Sequence, residues 1–373
     1  MSRFKFERTT PDAIHSRITG RMPSVDGWRA LSILMVLAAH SLNMPGFSKT
    51  WWWVTSFPLF FDGNLGVRFF FVISGFLITY LLIQENARNG RVSLRNFYIR
   101  RALRILPVYF AYLIVVAVLQ FFTNLHQAPV TWLGDLTFTT NFLPRGVISG
   151  HLWSLSVEEQ FYLLWPFTFI WLSRKKVFAR WILAMPFLVA MFCHLVVCTN
   201  NVPRIVHPFF HPHSSFVNFD SLAMGCLAAY LLAEKTPAII NALAGRKRFF
   251  GILLGGSLVV VPSLNLHWLG LFLAMMGNLL QAIGFAILLV TSIVHPGSFK
   301  PLNWPLVVQL GVVSYSIYIW QQIFYAGPQT YGFSTVWWMS FPWWLFAALT
   351  AGVVSYYGFE RPLLRLRKHF REV

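Results

Sequence analysis

Arg29 and His40 stand eleven positions apart in the stretch Asp26-Gly-Trp-Arg29-Ala-Leu-Ser-Ile-Leu-Met-Val-Leu-Ala-Ala-His40. On a helix that spacing is three turns and roughly 20°, so both side chains share one face, about 16 Å apart along the axis. Imidazole accepts and donates protons near neutral pH, which suits His40 to activating a hydroxyl or relaying a proton. A hydrogen-bonded packing role competes for His40, and snorkelling toward lipid phosphates competes for Arg29.

Four more groups carry possible chemistry. Arg68, in Gly66-Val-Arg68-Phe-Phe-Phe-Val-Ile-Ser74-Gly75-Phe76, could meet an anionic or sugar substrate, or could snorkel; Ser74 and Gly75 read as small residues for close helix approach. Arg101 and Arg104 are three apart and project from one side of a helical turn, where guanidinium forks suit phosphate oxygens. A lipid-bound topogenic cluster is the competing reading. Glu158, Glu159 and Gln160 enter an apolar run that opens His151-Leu-Trp153-Ser154, and such groups are unlikely to face lipid. Adjacent carboxylates point about 100° apart, so they are no shared-proton dyad. Asp220 is a further acid at a membrane edge, suited to a polar contact or to pairing with an arginine.

The elements that position these groups are membrane spans. Of 373 residues, 56% are hydrophobic and only 11% charged, against about 25% charged in soluble domains, and the mean hydropathy is +0.58. A soluble enzyme is excluded, and 37 Phe, 16 Trp and 12 Tyr exclude disorder. Ten apolar runs, about 28–44, 65–83, 105–123, 153–172, 181–198, 216–233, 249–264, 268–292, 304–325 and 337–357, are long enough to cross a bilayer. With the N-terminus inside, only Lys49, Arg68, Arg145 and Arg204 of the 30 basic residues fall outside or at the outer mouths. The positive-inside rule then predicts both termini in the cytoplasm. The charge of +18 is therefore topogenic, and no nucleic-acid partner is expected.

The expected organisation is a cytoplasmic tail over 1–27, a ten-helix membrane domain over 28–358 and a basic cytoplasmic tail over 359–373, without a removable signal peptide. Cys193, Cys198 and Cys226 lack metal-ligand spacing and read as packing residues. His207, His211 and His213 are interrupted by prolines and have no nearby acid, so no metal is expected. These histidines and Trp51, Trp52 and Trp53 could shape what binds there through aromatic faces and hydrogen bonds, or could anchor the chain at the interface.

Taken in order, these blocks resemble acyltransferase family 3, the integral-membrane bacterial O-acyltransferases of cell-surface glycans. The resemblance rests on Arg29–x10–His40, the Arg68-to-Phe76 block, Arg101-x-x-Arg104-Ile-Leu-Pro107 and Trp153-Ser154-Leu-Ser-Val-Glu158-Glu159-Gln160. It extends to Asp220 with Gly225, Ser314-Tyr315-Ser316-Ile-Tyr318-Ile-Trp320 and Phe359-Glu360-Arg361-Pro362. It implies an all-α, multi-pass protein of the bacterial cytoplasmic (inner) membrane. Its activity would move an acyl group, usually acetyl, from cytoplasmic acyl-CoA to a hydroxyl of a polysaccharide or its lipid-linked precursor.

By the same resemblance, His40 is the essential histidine with Arg29 its partner, and Glu158 outranks Glu159 as the working acid. Arg101 and Arg104 would contact coenzyme A phosphates, while Arg68, Trp153 and Asp220 would contact the acceptor. No permanently bound cofactor is expected; acetyl-CoA is a substrate. The chain departs from the family in one place: many members follow the Tyr-Trp block with histidine, where Gln321 and Gln322 stand here. An additional esterase-like domain is not expected. The alternative function is a transporter or flippase for a lipid-linked sugar or organic acid, disfavoured because no duplicated half or paired broken helices appear.

Overall fold

The computed structural model describes residues 22–174, 213–264, 270–334 and 336–366, residue 370, and scattered positions between 177 and 192. Among the described residues the regular structure is helical, with no strand. The principal helices are α1 (Pro23–Ser41), α2 (Gly63–Asn89), α3 (Leu94–Phe122), α4 (Pro129–Leu136), α5 (Leu152–Arg174) and α6 (Ser215–Glu234). They continue with α7 (Lys247–Val260), α8 (Gly270–Val294), α9 (Pro305–Tyr325), α10 (Trp343–Ser355) and α11 (Arg361–Leu366). Every apolar run read from the sequence coincides with one of these helices except 181–198, which lies mostly outside the described residues.

Six helices among the described residues are long and apolar enough to cross a membrane: α2, α3, α6, α8, α9 and the stretch Lys247–Leu264 that includes α7. The chain is a multi-pass membrane protein. The tenth run begins its helix at Trp343 rather than at residue 337, because residues Trp337–Met339 form a separate short turn and Pro342 caps the helix start.

Local chemistry explains where helices begin. The Ser93 hydroxyl accepts from the Asn96 N–H at 3.4 Å and caps α3, and the Ser214 hydroxyl does the same for α6 through Val217 N–H. Pro107 and Pro166 lie inside α3 and α5, a placement tolerated in membrane helices because neighbouring groups re-satisfy the backbone.

The chain divides into two compact units. The first comprises residues 1–29, 67–92 and 157–308. In it, α2 and α6 cross backbone to backbone: a Cβ on Gly75 would collide with the Leu222 carbonyl, and one on Gly225 with the Val72 carbonyl. Cys226 packs at the same crossing, its Sγ 3.7 Å from the Gly75 carbonyl oxygen. The Trp165 indole N–H donates to the Thr79 hydroxyl at 2.9 Å and ties α5 to α2. The N-terminal turns of α1 are held by Trp28, whose indole donates to the Ser292 hydroxyl at 3.0 Å.

The second unit comprises residues 30–66, 93–156 and 309–373. Its interior is aromatic, with Tyr109, Tyr112 and Trp344 fully buried. The two phenols do not go unsatisfied: Tyr109 donates to the Asp135 carbonyl at 2.7 Å and Tyr112 to the Ile148 carbonyl at 2.6 Å. These bonds fix the 123–151 connection against α3. Gly352 lets α10 approach α9 so closely that a Cβ would meet Ile317 at 2.5 Å.

Candidate functional site

His40 occupies the last turn of α1, and the chain leaves the helix immediately after Ser41. In the second unit its ring is fixed from two sides by α9. Nδ1 lies 2.8 Å from Gln321 Oε1, and the Tyr325 ring stacks on the imidazole with centroids 4.0 Å apart and planes 14° apart. Gln321 and Tyr325 are four apart, so one face of α9 supplies both contacts. The Tyr325 hydroxyl accepts from the Asn43 side-chain amide at 3.3 Å, which ties this face of α9 to the turn that follows α1.

Behind Gln321 the polar contacts continue. Gln321 Nε2 donates to Gln322 Oε1 at 3.2 Å, and Gln322 Nε2 donates to the Val147 carbonyl at 2.7 Å. Both amides are buried, at 0% and 5% exposure, whereas His40 is only half-buried. Among the described residues no other group hydrogen-bonds the His40 ring. An imidazole held this way can present one nitrogen to a reactant while the other is anchored.

Next to this assembly, the start of α5 is pinned to α9. His151 lies just before α5 and its Nε2 donates to the Ile319 carbonyl at 3.2 Å; the Tyr318 hydroxyl donates to the His151 carbonyl at 2.9 Å. Trp153 stands in the first turn of α5 and is buried, at 9% exposure.

Arg101 and Arg104 project from α3 in the same unit as His40 and are half-buried. Arg104 is close enough to Glu360 and Tyr356 for its charge to act on both. Glu360 follows α10 in the familial Phe359-Glu360-Arg361-Pro362 block and is buried, which pushes its carboxyl above the usual range; the Ser355 hydroxyl donating at 2.8 Å and the Arg104 charge pull it back. The neighbouring Arg100 guanidinium donates to the Phe370 carbonyl at 2.8 Å.

The remaining sequence candidates sit in the first unit. Glu158 accepts from the Ser74 hydroxyl at 2.6 Å, a short charge-assisted contact that gives Ser74 more than a packing role. Arg68 donates to Gln281 Oε1, and Gln281 Nε2 in turn donates to the Ser263 hydroxyl at 3.0 Å. Asp220 is buried in α6, where its Oδ1 accepts from the backbone N–H of Ser221 at 2.5 Å and from the Ser221 hydroxyl at 3.1 Å. Arg29 shares α1 with His40. The structure thus gathers His40, Gln321, Gln322 and Tyr325 in one cluster and Glu158 with Ser74 in another.

Three contributors were not singled out from sequence: Tyr325, Ser74 as a donor to Glu158, and Asp135. The buried Asp135 accepts from Gln127 at 2.8 Å and from Thr140 at 3.0 Å; burial raises its carboxyl to about 6, with these donors opposing the rise. His207 and His211 lie outside the described residues, as do Cys193 and Cys198. No group of three or more potential metal ligands occurs among the described residues.

The family described as "Acyltransferase domain" matches residues 22–359. The "Peptidoglycan O-acetyltransferase OatA" of Listeria monocytogenes is 28% identical over 335 residues, covering 80% of this chain and 48% of its own length. The "Putative peptidoglycan O-acetyltransferase YrhL" of Bacillus subtilis is 29% identical over 335 residues, with the same 80% and 48% coverage. A Staphylococcus aureus relative, also named as an O-acetyltransferase, is 27% identical over 337 residues, covering 80% of this chain and 50% of its own. The chain therefore spans about half the length of these relatives. No solved structure matches it.

Proposed function

The chain belongs to the acyltransferase domain family matched over residues 22–359, and from that premise we propose that it is a membrane O-acetyltransferase whose reacting base is His40. The donor is acetyl-CoA from the cytoplasm, and the acceptor is a hydroxyl of an envelope glycan or its lipid-linked precursor. The names of two relatives favour peptidoglycan within that class. One observation carries the reading: an imidazole anchored through one nitrogen and stacked on Tyr325, at the position where the family resemblance sets its essential histidine.

In the proposed reaction, His40 takes the proton of the acceptor hydroxyl as its oxygen attacks the thioester carbonyl. The new C–O bond forms, the C–S bond breaks as the tetrahedral intermediate collapses, and the proton passes from the imidazole to the departing thiolate. The alternative route, a transient acetyl-imidazole, uses the same ring nitrogen as nucleophile. Arg101 and Arg104 hold donor phosphates, a role supported by their shared face and the basic inner side of the chain. Glu158, held by Ser74, and Arg29 are assigned the orienting or charge-balancing roles in this reaction, and Arg68, Trp153 and Asp220 are assigned contacts with the acceptor. Ten spans with both termini in the cytoplasm of a bacterial cell put the donor site at the inner leaflet of the cytoplasmic membrane.

The test uses purified full-length protein in detergent, acetyl-labelled acetyl-CoA and a peptidoglycan-derived acceptor. Covalent label on the acceptor that vanishes in His40→Ala, at normal protein level and insertion, is the expected result. Near-normal labelling by His40→Ala removes His40 from the mechanism. Movement of an unlabelled glycan across vesicles without acetyl transfer would favour a carrier instead.

A further inference from the structure

We infer that Gln321 and Gln322 are positioning residues that fix the tautomer of His40, placing the proton on Nδ1 and the free lone pair on Nε2. The inference rests on His40 being the proposed base only for its effect on rate, not for the tautomer itself. It follows from the fixed end of a buried chain of polar groups. The Val147 carbonyl can only accept, so the Gln322 atom 2.7 Å from it is the amide nitrogen. That turns Gln322 Oε1 toward Gln321, which meets it at 3.2 Å and must present Nε2 there. Gln321 Oε1 is then the atom 2.8 Å from His40 Nδ1, and an acceptor at that distance requires a proton on Nδ1.

Reversing the sequence fails at its end. If His40 Nδ1 were the acceptor, Gln321 would have to turn its nitrogen to the ring and its oxygen to Gln322. Gln322 would then face the Val147 carbonyl with its own oxygen, setting two acceptors against each other in a buried site. Tyr325 stacks on the ring and so limits its tilt without taking either nitrogen. A backbone carbonyl fixed in the 123–151 connection therefore decides, through two glutamines, which nitrogen of His40 is basic. For the proposed chemistry that nitrogen is Nε2: it takes the hydroxyl proton, becomes N–H, and returns that proton to the thiolate, while Nδ1–H stays on Gln321 throughout.

The experiment labels histidine with ¹⁵N in the full-length protein in detergent and assigns His40 by the signal missing from His40→Ala. Ring ¹⁵N shifts distinguish a protonated nitrogen from a bare one. The wild type should show Nδ1 protonated and Nε2 bare when the ring is neutral. Gln321→Leu should populate the other tautomer and lower kcat about ten- to a hundredfold with KM for acetyl-CoA unchanged. Gln322→Leu, which leaves Gln321 in place but free to turn, should shift the tautomer in the same direction and by less. Gln321→Glu keeps an oxygen facing Nδ1 and should retain the wild-type tautomer. A neutral wild-type ring protonated on Nε2, or an unchanged tautomer in both leucine variants, overturns the inference. A shifted tautomer with undiminished transfer leaves the inference standing and instead overturns His40 as the base.

Discussion

Two guanidinium groups three residues apart can serve lipid, protein or nucleotide, and their neighbours decide among these uses. Arg100 is committed to the protein, donating to the Phe370 carbonyl, and Arg104 acts on the buried Glu360. A half-buried arginine is a better preorganised phosphate ligand than one free to snorkel, because less side-chain freedom is lost when the phosphate arrives. Arg101→Ala together with Arg104→Ala should raise KM for acetyl-CoA at least tenfold while leaving transfer at saturating donor within a few-fold of wild type, since each charge-assisted hydrogen bond is worth about 1.5–3 kcal/mol. Isotherms for acetyl-CoA binding to the purified variant check this; unchanged affinity returns both arginines to topogenic duty. His40, Arg29 and Glu158 stand out in the sequence as ionisable groups within apolar runs, and Arg101 and Arg104 as a basic pair just before one. The partners do not. Gln321 reads from sequence only as a missing histidine, yet its amide is the group that meets His40, and Ser74 reads as a small packing residue although it donates to Glu158. Both contacts join residues far apart in the chain, and pairings of that kind are set by packing rather than by local pattern.

At the level of the element, helices were legible because apolar runs of span length can satisfy their backbone only as helices. The Gly75 and Gly225 crossing was half legible: each glycine permits close approach, but only the fold shows that they meet the backbone of each other's helices. The connection between α3 and α5 was not legible, because its order comes from a polar centre rather than from hydrophobic period. Asp135 in α4 is that centre, buried among Gln127, Thr140 and the Tyr109 hydroxyl that grips its carbonyl. Its carboxyl rises from 3.8 to about 6 because burial disfavours the charge. The folded protein thus holds a proton that the unfolded chain has released between these values, so stability falls as pH rises from about 4 to about 6, by about 3 kcal/mol at most, and levels off above. Thermal unfolding in detergent across this range should show the decline, and Asp135→Asn, which cannot ionise, should flatten it. A slope unchanged in Asp135→Asn would assign the dependence to other groups.

For the molecule as a whole, the surface carries the clearest mark of its solvent. Phe121, Phe122 and Leu306 are 87%, 83% and 82% exposed, an arrangement that water penalises and lipid tails do not. Charge adds direction to this. Arg95, Arg100, Arg101 and Arg104 crowd the first turns of α3, whereas its last turn is apolar and leads into the connection ordered by Asp135. If the basic end of α3 faces the cytoplasm, the connection over 123–151 lies on the opposite side, and the ten spans expected from the sequence would return both termini to the side of the arginines. The donor and the Val147 carbonyl that sets the His40 tautomer then belong to opposite sides of the membrane, and transfer at His40 becomes a route for acyl groups toward the outer face. Single cysteines in a chain with Cys193, Cys198 and Cys226 replaced test this sidedness directly. A membrane-impermeant maleimide applied to intact cells should label Thr137→Cys, which is exposed in this connection, and should reach Ser2→Cys and Glu372→Cys only after permeabilisation. Labelling of either terminal cysteine in intact cells would reverse or break the proposed orientation and move the arginine pair away from the cytoplasmic donor.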